Sequence, residues 1–97
     1  MHVGTCVVKL RLAENDSLKG KRQVSKSIIE RVKNRFNVSI AEVEDQDRWQ
    51  TLTLGVSCVS NSAPHANEIL SKVVNFIENN RFDAELVDYE IEILNAL

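Results

Sequence analysis

The spacing of the apolar residues changes four times along the chain, and these changes constrain the fold more than any other feature. A period of two residues indicates a half-buried strand, and a period of three to four indicates a helix with one buried face. Read in this way, the 97 residues contain a strand, a helix, two strands, a helix and a strand. No stretch is left over that is long enough for a linker or a second domain.

The first half of the chain shows both periods. Residues 3–12 alternate, with Val8 and Leu10 on one face and Lys9 and Arg11 on the other. A helix is predicted from about Leu18 to Arg35, with Ser17 as its N-cap. Its apolar positions recur at every fourth residue: Val24, Ile28, Val32 and Phe36.

Two strands and a second helix follow. A break in phase among the apolar residues of the second strand predicts a bulge there; these residues are Val38, Ile40, Ala41 and Val43. Residues 51–58 give the clearest alternation in the chain. The acidic segment 44–47 joins these strands as a hairpin. Ser62 and Pro64 mark the start of the second helix. Its apolar face comprises Ala66, Ile69, Leu70, Val73, Val74 and Ile77.

A fourth strand is predicted where residues 87–93 alternate. One-faced helices and alternating strands require two layers, and right-handed crossovers then place the first and third strands at the centre of the sheet. The sequence therefore predicts a single ferredoxin-like α+β domain over residues 1–97, with the order β-α-β-β-α-β. It is a two-layer sandwich with an antiparallel four-stranded sheet and both helices on one face.

Composition excludes several classes of protein. The formal net charge of −2 lacks the basic excess of a general nucleic-acid coat. No apolar run approaches the roughly 18 residues of a membrane span, so we expect a cytoplasmic protein that does not enter the membrane. Cys6 and Cys58 lie in apolar strands without C-x-x-C spacing, which favours buried free thiols over a disulfide or a zinc site.

Several motifs, in order along nearly the whole chain, resemble the YlxP-like family of uncharacterised bacterial proteins. They are residues 17–22, 34–43, 46–50, Leu54-Gly55, residues 59–61 and His65. The resemblance implies a bacterial, cytoplasmic, ferredoxin-like domain of unknown function. The genes of such proteins often lie among translation and ribosome-maturation genes, which implies a connection to RNA or the ribosome by association alone. Gly20 and Arg48 depart from the bulkier or apolar residues of the family, and Gly20 is expected to loosen the first helical turn.

No set of residues forms a recognisable catalytic or metal-binding motif. Neither His2 nor His65 stands at i, i+4 from another ligand, and no P-loop or H-E-x-x-H sequence occurs. The acidic segment 44–47 lacks the spacing and glycine of a calcium loop, so we interpret it as solvated. The sequence therefore predicts a protein that is not an enzyme and has no cofactor and no metal.

Trp49, the only tryptophan, has two interpretations. We expect it to close one end of the core with its indole N–H hydrogen-bonded. The alternative is an aromatic group that stacks on a ligand or binds a partner, and solvent exposure distinguishes the two.

Charge is segregated along the chain. Residues 19–35 carry seven basic side chains and one acidic one, whereas residues 78–92 carry six acidic and one basic. With Val24 at zero on a helical wheel, Arg22, Lys33, Lys26 and Lys19 fall at about 160°, 180°, 200° and 220°. Cations in the first turn oppose the helix dipole, and together with free helix-end amides they predict a phosphate site. The candidate nucleic-acid-binding residues are Lys19, Lys21, Arg22, Lys26 and Lys33.

These observations favour a non-catalytic protein that binds ribosomal RNA or a ribosomal particle through its first helix. A merely solvated basic face is the simpler interpretation. An RNA platform on the sheet is disfavoured, because the outward residues include no aromatic side chain. A homodimer is the alternative function, formed through an edge strand or through the uncharged outward residues of the third strand. Those residues are Thr51, Thr53, Gly55 and Ser57.

Overall fold

The computed structural model describes residues 1–80 and 82–97 and confirms the predicted element order. The elements are β1 (His2–Arg11), α1 (Leu18–Arg35), β2 (Ser39–Glu44), β3 (Thr51–Ser60), α2 (Ala63–Asn79) and β4 (Glu85–Asn95). The strands form one antiparallel sheet in the order β2-β3-β1-β4, which places β1 and β3 at its centre as predicted. The fold is a ferredoxin-like α+β sandwich. Neither helix of the described chain is long and apolar enough to cross a membrane.

The core lies between the two helices and one face of the sheet. Val8 of β1 stands opposite Leu54 of β3, and both side chains are fully buried. The predicted helical core is confirmed at Ile28, Val32, Val73 and Ile77. Val24 and Ile69, predicted with them, are only half-buried, because they pack at the margin of the core.

Each helix begins at a serine cap. The Oγ of Ser17 accepts a hydrogen bond from the backbone N–H of Gly20 at 3.0 Å, and the Oγ of Ser62 accepts one from the N–H of His65 at 3.3 Å. Both caps were expected from the sequence, and each satisfies one of the amides that a helix start leaves unpaired. The side chain of His65 is exposed on the first turn of α2.

The two cysteines are buried free thiols, as predicted. Burial raises the pKa of the Cys6 thiol to about 11, and burial likewise raises the pKa of Cys58 above its ordinary value. Because the thiolate is the reactive form, both side chains act at neutral pH as small apolar groups.

The predicted bulge in β2 is confirmed, and the structure places it at Val43. The register between β2 and β3 shifts between Glu42 and Glu44, so Val43 is the extra residue. Its side chain lies over Gly55, where an added Cβ would stand 2.7 Å from Cγ1 of Val43. Glycine at position 55 therefore makes room for the bulge.

The open face is the face of the sheet that carries no helix. It exposes apolar side chains, including Val7 (40%), Val43 (47%), Val59 (65%) and Leu94 (46%). Lys9 stands opposite Asp88, so its charge has an acidic neighbour. The described strand residues of this face include no aromatic side chain, because Tyr89 stands opposite Val8 and so belongs to the helix side.

Candidate functional site

Four of the five predicted cations form an exposed row on α1. Lys19, Arg22, Lys26 and Lys33 are all exposed, as the helical wheel predicts. Lys26 lies 4.0 Å from Glu30 in a weak surface pair. Among the residues that the structure describes, the salt bridges include none from the other three. This basic row therefore presents mainly solvated charge.

The prediction that Lys21 belongs to this surface is wrong. Its side chain is 2% exposed, and its ammonium group points into the protein. On the helical wheel with Val24 at zero, Lys21 falls at about 60°, between Ile28 and Val32. The spacing alone therefore assigns Lys21 to the buried face. It was predicted at the surface because its side chain is charged.

The Lys21 ammonium has three donors and lies against three oxygens. It donates hydrogen bonds to the backbone carbonyls of Asp45 and of Arg48, the latter at 2.8 Å. Its Nζ also lies 2.9 Å from Oε2 of Glu42. That oxygen is buried and accepts no well-aligned hydrogen bond, so the Glu42 contact is an ion pair. The buried charge is thereby compensated, and it fixes the backbone between β2 and β3.

We call residues 45–50, which join β2 to β3, the clamped loop. Side chains outside the loop bond to its backbone carbonyls, and one side chain of the loop bonds to a backbone carbonyl outside it. Nδ2 of Asn15 donates to the carbonyl of Trp49 at 2.6 Å and lies 2.7 Å from the carbonyl of Ser17. Nε2 of Gln50 donates back to the carbonyl of Ala13 at 3.0 Å. The loop is thus fastened to the segment that leads into α1.

Asp45 turns the chain at the start of the clamped loop. Its φ of 60° lies in the left-handed region, which aspartate tolerates better than most residues. Its Oδ2 accepts a hydrogen bond from Oγ1 of Thr53 at 2.9 Å, and its Oδ1 lies 3.7 Å from Nε of Arg48. The interpretation of the acidic segment as solvated therefore fits the exposed Glu44 and Asp47 but not Asp45.

Trp49 does not close the core. Its side chain is 54% exposed, so the expectation of a buried lid is wrong. The physical reason is that Leu12 and Leu52 already fill that end of the core, at 1% and 0% exposure. Arg48 beside it is 72% exposed. The clamped loop therefore holds its backbone inward and presents an indole and a guanidinium to solvent.

Gly20 leaves space for this clamp. An added Cβ at position 20 would lie 2.2 Å from Oδ1 of Asn15, so the glycine accommodates the Asn15 carboxamide. One of the helix-end amides of the predicted phosphate site is occupied, because the Gly20 N–H is already bonded to Ser17.

Two further cations of α1 are engaged within the protein. The guanidinium of Arg31 lies 5.1 Å from the ring centre of Phe82, and that of Arg35 lies 5.1 Å from the ring centre of Phe76. These contacts are cation–π interactions. Residues 19–35 contain seven basic side chains, of which Lys21 is buried and Arg31 and Arg35 contact aromatic rings. The other four face solvent and make no cation–π contact: Lys19, Arg22, Lys26 and Lys33.

An open cleft of about 780 Å³ lies between the start of α1 and the segment that leads into β4. Its lining includes Arg11, but also the carboxylates of Glu14, Asp83 and Glu85. The three carboxylates would repel a phosphate chain in this cleft. No group of three potential metal ligands comes together within the described chain.

Comparisons with known proteins agree with the resemblance noted in the sequence. Residues 3–91 match the family model described as "Protein of unknown function (DUF503)". The chain is 46% identical over 63 residues to the uncharacterized protein YlxP of Bacillus subtilis (strain 168), a match that covers 65% of this chain and 68% of that protein. A solved structure of a REP-associated tyrosine transposase bound to a REP hairpin is 12% identical, with a TM-score of 0.45. That match covers 98% of this chain, which spans 57% of the transposase chain.

Proposed function

The chain belongs to the DUF503 family of proteins of unknown function, and on this premise we propose that it is a non-catalytic protein that binds ribosomal RNA or a ribosomal particle. The observation that supports the proposal is the basic row on α1. Its members are Lys19, Arg22, Lys26 and Lys33, all exposed. Contacts to phosphate oxygens position an RNA without reading its sequence, and cations on one helix face suit that task.

The position of two of these cations supports a ligand. Lys19 and Arg22 lie in the first turns of α1, whose first turn contains no acidic residue. A cation at a helix N-terminus opposes the helix dipole and lowers the stability of the helix by about 0.3 to 1 kcal/mol. A bound phosphate chain would offset that cost, whereas a face that only keeps the protein soluble would be served as well by carboxylates.

The distribution of acidic residues limits where the RNA can lie. Asp88, Glu90 and Glu92 on β4 are exposed, and by register all three lie on the open face. With no aromatic group on the described strands of that face, stacking of bases on the sheet has no platform. The proposed RNA therefore lies on the helix side and not across the sheet.

Replacing Lys19, Arg22 and Lys26 together with glutamine should weaken binding to ribosomal RNA and flatten its salt dependence. Each lost phosphate contact lowers the slope of log K against log salt by about 0.7 on single strands. Thermal stability should stay the same or rise slightly, because cations leave the start of the helix. Filter binding at several salt concentrations measures the slope, and a thermal melt measures the stability.

A matched control removes three positive charges elsewhere. Lys9, Arg11 and Lys72 are exposed and lie outside α1, so their replacement with glutamine changes the net charge equally. This control variant should keep most of the affinity and nearly the full slope. Equal losses in both variants would mean that only net charge matters, and unchanged binding in the α1 variant would refute the proposed function.

We propose a homodimer as the second candidate function, supported by the exposed apolar side chains of the open face. Val7 and Val59 lie on the central strands and Leu94 lies on β4, with Val3 between Val59 and Leu94 in register. The uncharged row expected from the sequence is smaller than predicted, because Thr53 is fully buried. An apolar area of this kind suits a weak interface between two sheets.

Sedimentation should then show a concentration-dependent dimer at high micromolar concentration, which the change Val59→Glu shifts to monomer. A charge at the centre of an apolar interface costs affinity because it loses water without gaining a partner. Asn67→Glu, at an exposed position of α2, is the control and should leave the equilibrium unchanged. A monomer at every concentration would exclude this function, and a dimer that Val59→Glu does not affect would exclude the open face as its interface.

A further inference from the structure

We infer that the clamped loop binds an unpaired RNA base by stacking it on Trp49, while the phosphates on either side lie on Arg48 and the start of the basic row. The inference rests on the proposed function and makes it more specific, because it names single-stranded RNA as the ligand.

The first support is the exposure of an aromatic side chain on an immobilised backbone. Trp49 is 54% exposed, although most of an indole ring is apolar. Its own carbonyl accepts the 2.6 Å hydrogen bond from Asn15, and the preceding carbonyl accepts the 2.8 Å bond from Lys21. A loop backbone held in this way loses little conformational entropy on binding, which favours affinity.

The second support is the place of Trp49 beside the basic row. The carbonyls of Trp49 and Ser17 accept hydrogen bonds of 2.6 Å and 2.7 Å from the same nitrogen of Asn15. The backbone of Trp49 therefore lies at the N-cap of α1, two residues before Lys19. Arg48, 72% exposed, adds a cation from the loop itself.

An aromatic ring beside several cations is the arrangement by which proteins bind single-stranded nucleic acid. The ring stacks on a base and the cations contact the backbone. In a duplex the bases already stack on one another and offer no free face, so this arrangement favours an unpaired base. Of the two carboxylates in the loop, that of Asp45 is bonded to Thr53 and paired with Arg48, whereas that of Asp47 is exposed.

The intrinsic fluorescence of the protein tests the inference directly, because Trp49 is its only tryptophan. A single-stranded oligoribonucleotide should quench this emission in a saturable way, whereas a duplex of the same sequence should quench it at least several-fold less at equal concentration. Poly-glutamate, which supplies negative charge without bases, should not change it. Quenching by poly-glutamate equal to that by RNA would overturn the inference in favour of an acidic protein partner.

The change Trp49→Ala should weaken binding of a fluorescein-labelled single strand by about 5- to 150-fold, the range expected for one lost stacking contact. Trp49→Phe retains an aromatic face and should lose clearly less. Tyr89→Ala removes another exposed aromatic side chain, on β4, and should bind like the original protein. Circular dichroism and thermal melts establish that each variant is folded.

The outcomes separate the inference from the proposed function. If the strand binds through the basic row but Trp49→Ala binds equally well and Trp49 emission is unchanged, the inference is wrong and the proposed function stands. If neither this strand nor ribosomal RNA binds at low salt, both are wrong.

Discussion

Replacing Lys21 with methionine should lower the free energy of unfolding by about 3 kcal/mol, a large effect for one side chain. Removing one partner of a buried ion pair commonly costs about 3 to 5 kcal/mol, because the other charge stays buried without compensation. Here Glu42 is 22% exposed and can regain some water, which places the estimate at the lower end. Two loop carbonyls also lose their donor.

Urea denaturation measures this loss, and two variants serve as controls. Lys19→Met removes an exposed lysine from the same helix and should change stability by less than about 0.5 kcal/mol. Glu42→Gln leaves the Lys21 ammonium bonded to both carbonyls, so its cost should lie between the other two. In the Lys21 variant, acrylamide should also quench Trp49 more rapidly, because the loop is no longer held. A Lys21→Met protein as stable as Lys19→Met would show that the clamp contributes nothing to folding.

Shortening Ile28 to alanine should cost about 2 to 5 kcal/mol, since its side chain is fully buried and the cavity left behind cannot collapse completely. A small domain has only about 5 to 15 kcal/mol of stability in total, so the variant should be close to unfolding at elevated temperature. Ile29→Ala provides the matched control. Ile29 is the same residue type on the same helix but only half-buried, so its truncation should cost clearly less.

Thermal and urea unfolding measure the loss of stability in both isoleucine variants and so test which face of α1 is buried. Equal losses for Ile28 and Ile29 would contradict the assignment of the buried face of α1. A loss for Ile29 larger than for Ile28 would mean that the helix is rotated relative to the sheet.

The fold could be predicted from sequence because strand and helix periods report burial one residue at a time. The alternation around Val8 and Leu54 fixed which strand faces point inward, and the four-residue spacing through Ile28 and Val32 did the same for α1. A break in phase at Ile40 and Ala41 also indicated a bulge in β2, although the bulge itself lies at Val43. None of these inferences required knowledge of a distant contact.

The site was harder to predict because its geometry depends on contacts between distant segments. Lys21 binds carbonyls 24 and 27 residues away. Every residue type has a backbone carbonyl, so the sequence does not indicate which one accepts a hydrogen bond. Its charge suggested the surface, although its position on the helical wheel indicated the core. The exposure of Trp49 likewise depends on how the clamped loop is held, which Asn15 and Lys21 determine from outside that loop.

The close approach of Asn15 to Gly20 couples the residue types that suit these two positions. A side chain at position 20 would occupy the space of the Asn15 carboxamide, 2.2 Å from its oxygen. A relative that acquires a larger residue there must also replace or displace residue 15, and with it the bond to the carbonyl of residue 49. Substitutions at the two positions should therefore appear together among homologues, and the pair should mark which of them hold this loop as the present chain does.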